Sequence, residues 1–245
     1  MNNYQQTVNI LKTLKLHGIT SKIDLEVEEA ETKKISYINF LKSLLESEIL
    51  YRTEKKLKRN FAGAHFPVIK KMEEFNTVGV KGISKSDISN LHDLRWLDNH
   101  ENLLLFGPPG IGKTHLAISF GVKAVEAGYT VCFERVTNLM KLLKMAGIQK
   151  KAEFRIKRIM KADLLIIDEI GYTPIERKEA NLFFNLVSEL YEKSSIIITS
   201  NKSFSEWSEM MGDEVMTVAL LDRLLHHAKV FNMGGKSYRI QGKEV

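Results

Sequence analysis

The residues best equipped for chemistry fall in three separate stretches. Gly107-Pro108-Pro109-Gly110-Ile111-Gly112-Lys113-Thr114 fits G-x-x-x-x-G-K-[ST] at every fixed position. Such a loop binds phosphate. Glycines let backbone N–H groups approach the oxygens, the lysine sets a positive charge on the β- and γ-phosphates, and the hydroxyl can ligate Mg²⁺. His115 follows directly and is counted with the stretch that cradles the nucleotide. The second place is Asp168-Glu169, closing the aliphatic run Leu164-Leu-Ile-Ile167. An acid at the end of a buried strand can organise Mg²⁺ and its water, and its neighbour can act as a base toward that water. The third is Asn201, at the end of Ser195-Ile-Ile-Ile-Thr-Ser-Asn201, whose amide could orient the attacking water. Each has a plainer reading: a glycine turn, a helix cap at Asp168, a turn asparagine. All three in one chain read as a site for a nucleotide's phosphates and Mg²⁺.

These groups need elements to hold them. Leu103 to Phe106 has the length of a buried strand, and after the glycine loop the pattern turns helical from His115 to Val125, stopping at Gly128. Tyr129–Phe133 is a second strand candidate, the run 164–167 reads as a buried parallel strand, and the run 195–200 as a further buried strand. If the last lies between the strands at 103–106 and 164–167, Asn201 comes close to the γ-phosphate. Thr173-Pro174-Ile175-Glu176 reads as a capping box opening a helix, and Ser203 with Glu206 as another. Residues 213 to 228 form a helix with Leu220, Leu221, Leu224 and Leu225 as core and Arg223 on its polar side. Residues 229 to 240, with Gly234-Gly235 between apolar runs, give a hairpin signal. His226 and His227 have no partners at metal spacing and read as capping or surface groups.

The chain of 245 residues has ordinary hydrophobic and charged fractions and one cysteine, Cys132, inside an apolar run. An internal disulfide is therefore excluded, and a reduced, cytoplasmic setting is expected. No stretch has the length of a membrane span or a signal peptide. The net charge of +6 is concentrated: between 139 and 161 stand Lys141, Lys144, Lys150, Lys151, Arg155, Lys157, Arg158 and Lys161 against the single acid Glu153. That segment reads as two short helices broken near Gly147. Lys151, Arg155 and Arg158 share one face, with Phe154 and Ile159 away from it. Charge runs are often only a solvated face, but the shortage of acids points to nucleic-acid phosphates.

Residues 1–70 read as a small helical domain. Ile10, Leu11, Leu14 and Leu16 make one helix that Gly18 would end, and Ser36 starts a stronger one through Ile38, Leu41, Leu45 and Ile49 into the basic run at 51–59. It is either a packing or dimer module, or an arm that docks DNA or a partner. Residues 72 to 90, rich in glycine and serine, read as a linker into the second domain, 71–245.

The stretches GPPGIGKTHLA, LLIIDEIGY, ITSN, LLDRLLHHA (220–228) and SYR (237–239) together resemble the IstB-like transposition helper ATPases. These are AAA+ proteins encoded beside a transposase in bacterial insertion sequences, with the helicase loader DnaC and the initiator DnaA as relatives. The resemblance implies an α/β AAA+ P-loop NTPase: a parallel sheet flanked by helices, a small all-helical N-terminal domain, and no separate helical lid. It implies that Lys113 and Thr114 bind ATP and Mg²⁺, that Asp168 and Glu169 are the Walker B pair, and that Asn201 is sensor I. Arg223 would be a finger reaching the next subunit's nucleotide, and Arg239 sensor II. The implied work is ATP-driven assembly of a homo-oligomer on duplex DNA, with little sequence specificity. The assembly would remodel the DNA, recruit and stimulate a partner transposase, and hydrolyse ATP to come apart. A DnaC-like helicase loader would share nearly all of these motifs. A small-molecule kinase would share only the loop, and a non-catalytic ATP-binding scaffold would not turn over.

Overall fold

The computed structural model describes residues 2–172, 174–235, 237 and 238, in two compact units, Met1–Arg59 and Asn60–Val245. In the first lie α1 (Asn3–Thr13), α2 (His17–Lys33) and most of α3 (Tyr37–Ala64). Gly18 does not end a helix. It stands in the first turn of α2, where a Cβ would lie 2.7 Å from the Glu48 backbone of α3. Buried Glu48 accepts the Gly18 and Ile19 amides at 2.6 and 3.2 Å, so a carboxylate from α3 caps α2.

The second unit begins about ten residues before the sequence pattern suggested, because the last turn of α3 belongs to it. The stretch read as a linker is partly helical. Ser84 and Asp87 form a capping box that starts α4 (Lys85–His92), followed by α5 (Arg95–Asp98), whose Trp96 is buried. The core then alternates: β1 (Asn102–Phe106), α6 (Lys113–Glu126), β2 (Val131–Arg135), α7 (Val136–Met145), α8 (Lys150–Ile159), β3 (Leu164–Ile170), α9 (Arg177–Leu190), β4 (Ser195–Ser200), α10 (Phe204–Met211), α11 (Glu214–Leu225) and β5 (Ala228–Asn232). The five strands form one parallel sheet in the order β2-β3-β4-β1-β5. β1 and β4 are buried along their whole length, as expected for strands covered on both faces. Leu139, Ile159, Phe183, Leu190, Trp207 and Leu224 pack helices onto the sheet. Of the hairpin expected over 229–240, β5 pairs in parallel with β1, Gly234 bridges Lys81, and Ser237 and Tyr238 are not in a strand; Lys236, Arg239 and Ile240 lie outside the described residues, as does Thr173 of the first capping box. Glu176, with Glu179, caps α9. No helix among the described residues is long and apolar enough to cross a membrane.

The strand order does one thing that matters for chemistry. It sets β4 between β3 and β1, so the carboxyl ends of all three open side by side.

Candidate active site

The loop between β1 and α6 runs through three glycines at positive φ: Gly107, Gly110 and Gly112, at 141°, 82° and 97°. At Gly112 the demand is double, because a Cβ would also come within 2.7 Å of the Phe75 ring. Ile111 is buried and anchors the loop from below. Lys113, at the start of α6, is 8% exposed, and its ammonium donates to the carbonyls of Gly107 and Pro108 at 2.6 and 2.8 Å.

Asp168 is buried within β3, two residues before its end. Its Oδ1 accepts the hydroxyls of Thr114 (2.7 Å) and Thr199 (2.6 Å), while its buried Oδ2 has no hydrogen-bond partner. A buried carboxylate oxygen left unmatched is costly unless a cation or donor meets it. The donor set fits a hard divalent cation: a threonine hydroxyl beside a carboxylate with a spare oxygen.

The next residue has an unusual backbone. From Ile167 to Ile170 of β3 there is one more residue than between their partners Ile198 and Ser200 of β4, so Asp168 and Glu169 together oppose Thr199. Such a bulge re-aims side chains, and Glu169 takes a left-handed φ of 66° within it. Its amide donates to Thr199 Oγ1 at 3.0 Å. Its half-exposed carboxylate faces the Arg135 guanidinium, at the end of β2, with Nε to Oε2 at 3.5 Å. Asn201, just past β4, buries its Oδ1 without a hydrogen-bond partner.

Lys113, Thr114, Glu169, Asn201 and the loop backbone share one cavity of about 570 Å³. Part of its wall was invisible in the sequence pattern. Phe75 and Asn76 come from the segment read as linker, and Tyr238 from the chain's last described residue. The Tyr238 amide donates to Gly110 O at 3.0 Å, and its hydroxyl to the carbonyls of Asn76 and Val78 at 2.6 and 2.8 Å. His115 turns to this wall, with Nε2 3.1 Å from Lys71 O and its ring beside Phe75. A lone aromatic in a glycine-rich stretch carries no local signal of such a role; for Tyr238 the only pointer was the SYR stretch.

Arg223 is not in this cavity. On α11 its guanidinium donates to Ala219 O at 3.1 Å and lies 4.7 Å from the Phe184 ring. It lines a small cleft with Asn102 and Ser194, at the opposite end of the strands from the loop. Arg239 lies outside the described residues.

The basic segment needs a correction. Arg155 is buried and does not face solvent. It pairs with buried Glu134 at 2.5 Å and donates to the carbonyls of Gly63, Ala64 and Phe133 at 2.7, 3.4 and 3.0 Å. A buried carboxylate and three carbonyls take the place of water around the guanidinium and satisfy its donors. Arg158 is half-buried and turned toward Gly63, where a Cβ would collide with it. Lys144 reaches Glu179 at 2.7 Å, and Lys157 pairs with Glu153. Lys141, Lys150, Lys151 and Lys161 are exposed, and so is Phe154.

Three comparisons bear on this arrangement. The family model described as IstB-like ATP binding protein matches residues 9–245. A Pseudomonas aeruginosa protein, named for insertion sequence IS21 and for ATP binding, is 41% identical over 234 residues, covering 96% of this chain and 88% of the relative. Among solved structures, DnaI aligns with TM-score 0.57 at 15% identity, over 67% of this chain and 91% of its own. The DnaC helicase loader aligns with TM-score 0.52 at 18% identity, over 67% and 96%. At such identities the likeness is one of fold: a parallel P-loop sheet flanked by helices.

Proposed function

The chain belongs to the IstB-like ATP-binding protein family of insertion sequences, and from that premise we propose that it is a Mg²⁺-dependent ATPase that assembles on duplex DNA. In this reading it remodels that DNA, recruits and stimulates a partner transposase, and comes apart on hydrolysis. The observation that carries the ATPase reading is Asp168. One oxygen is held by Thr114 and Thr199, and the other is buried and unmatched, beside a complete phosphate loop.

The steps follow from the residues. Backbone amides of the Gly107–Thr114 loop and the N-terminus of α6 receive the phosphates, and Lys113 exchanges loop carbonyls for the β- and γ-oxygens. Thr114 and Asp168 would hold Mg²⁺, which when bound neutralises charge on the β- and γ-phosphates. The Asn201 side chain, with an unmatched Oδ1 in the same cavity, orients a water toward the γ-phosphorus. Glu169 accepts a proton from that water as its oxygen bonds to phosphorus and ADP leaves. Arg135 competes for the Glu169 carboxylate, so breaking that ion pair is part of arming the base. Arg223, remote from its own loop, would serve the nucleotide of a neighbouring subunit. ATP held between subunits then stabilises the assembly by linkage. Exposed Lys141, Lys150, Lys151 and Lys161 contact phosphates, which gives little sequence preference. The likeness to DnaC is one of fold and adds nothing to a helicase-loading reading.

The test pairs two variants. Lys113→Ala should lose ATP binding by calorimetric titration, because the phosphate charge loses its counter-charge. Glu169→Gln should bind ATP and duplex DNA yet not turn over, leaving a long-lived assembly. Unchanged affinity in the first or unchanged turnover in the second would sink the assignment.

A further inference from the structure

We propose that Phe154 is a DNA wedge: its ring enters a base step of duplex DNA while the lysines around it hold the flanking phosphates. The inference rests on the DNA-binding reading above and names the side chain that would deform the duplex.

The geometry of α8 points there. Its inner face is Ala152, Arg155 and Ile159, all buried. At 100° per residue, Lys150 and Lys157 stand at the centre of the opposite face and Phe154 lies on that face about 45° to one side, with Lys150 and Lys151 one turn before it and Lys157 three residues after. All three lysines are exposed, and Phe154 is 76% exposed. Ile148, just ahead of the helix, is 77% exposed. The one acid of the helix, Glu153, is taken up by Lys157.

A single exposed apolar residue is ordinary on a protein surface. An aromatic ring ringed by lysines is a narrower pattern. Protein–protein interface cores are depleted in lysine, because burying ammonium groups costs more than the ring returns. DNA reverses that balance. Its phosphates take the lysines without desolvating them in an apolar core, and its stacked bases offer the ring an apolar slot. Minor-groove proteins use apolar wedges in this manner to unstack a step and bend the duplex. Burial of Arg155 belongs to the same design. It fixes α8 to β2 through Glu134 and Phe133, giving the wedge a rigid base.

The experiment uses the full chain with ATP and a duplex carrying 2-aminopurine at staggered positions, with dyes at the two ends. The parent should brighten 2-aminopurine at some positions and bring the ends closer. Phe154→Ala should lose both signals and about tenfold in affinity, while keeping the parent's slope of log K against log salt, because the lysines still neutralise the same phosphates. Phe154→Trp should restore unstacking. If Phe154→Ala unstacks and bends like the parent, or leaves DNA untouched and instead shrinks the assembly, the wedge is wrong. If the parent itself shows no salt-dependent binding to duplex DNA, the failure lies in the DNA reading beneath it.

Discussion

Thr199 donates its hydroxyl to Asp168 at 2.6 Å, and the same oxygen accepts the amide of Glu169 at 3.0 Å. One side chain on β4 thus fixes both acids of the β3 bulge. Thr199→Val keeps the shape and removes both bonds. Leaving the Glu169 amide unpaired should cost about 1–3 kcal/mol in denaturant unfolding. Steady-state ATPase should fall by about 10²-fold, as displaced reacting groups do. Thr199→Ser should recover most of both.

Arg155 and the exposed lysines of the same segment should separate in two assays. Arg155→Ala leaves Glu134, 4% exposed, without its counter-charge and should cost about 3–5 kcal/mol of stability. Lys150, Lys151 and Lys161 changed together to alanine should leave stability within about 0.5 kcal/mol. The lysine variant should instead lower the salt slope of duplex binding by about 0.9 for each phosphate no longer neutralised. A lysine variant with the parent's slope would return this face to plain solvation.

Arg223 lies at the far end of the sheet from its own loop, so its part in hydrolysis can be tested by mixing. Arg223→Ala and Lys113→Ala subunits should each be inactive. Mixed, some interfaces join an intact loop to an intact finger, and ATPase should return; arginine fingers contribute about 10³–10⁵ in rate. If both variants assemble together on DNA and the mixture stays silent, Arg223 acts only within its own subunit, against Ala219 and Phe184.

Glu48 gives the first unit a pH dependence. Burial pushes its pKa up, but the hydrogen bonds from Arg52, Ile19 and Gly18 outweigh this, and the net shift is downward from 4.5. A depressed carboxylate stabilises the fold above its unfolded value and loses that contribution as pH falls through the folded one. Thermal melts of the parent should therefore weaken as pH drops below about 4.5. Glu48→Gln should melt lower at neutral pH and lose part of that acid sensitivity.

What the sequence determined by itself is what short-range physics demands. Glycines at 107, 110 and 112 are needed where the backbone turns to positive φ, and four aliphatics before Asp168 make a buried strand wherever the chain goes. The phosphate loop, the strands at 103–106, 164–167 and 195–200 and the capping box at Ser203 were legible for that reason. Tertiary structure decided whatever depends on residues far apart. Helical spacing set Arg155 and Lys151 on one face, but only Glu134 and the carbonyls of Gly63, Ala64 and Phe133 turned Arg155 inward and left Phe154 outside. Gly18 reads as a helix end until α3 presses against it. Thr199 is one more β-branched residue in a strand until the bulge sets two acids opposite it. Periodicity says which residues share a face; charge, carbonyls and neighbours supplied by distant chain decide which way that face turns.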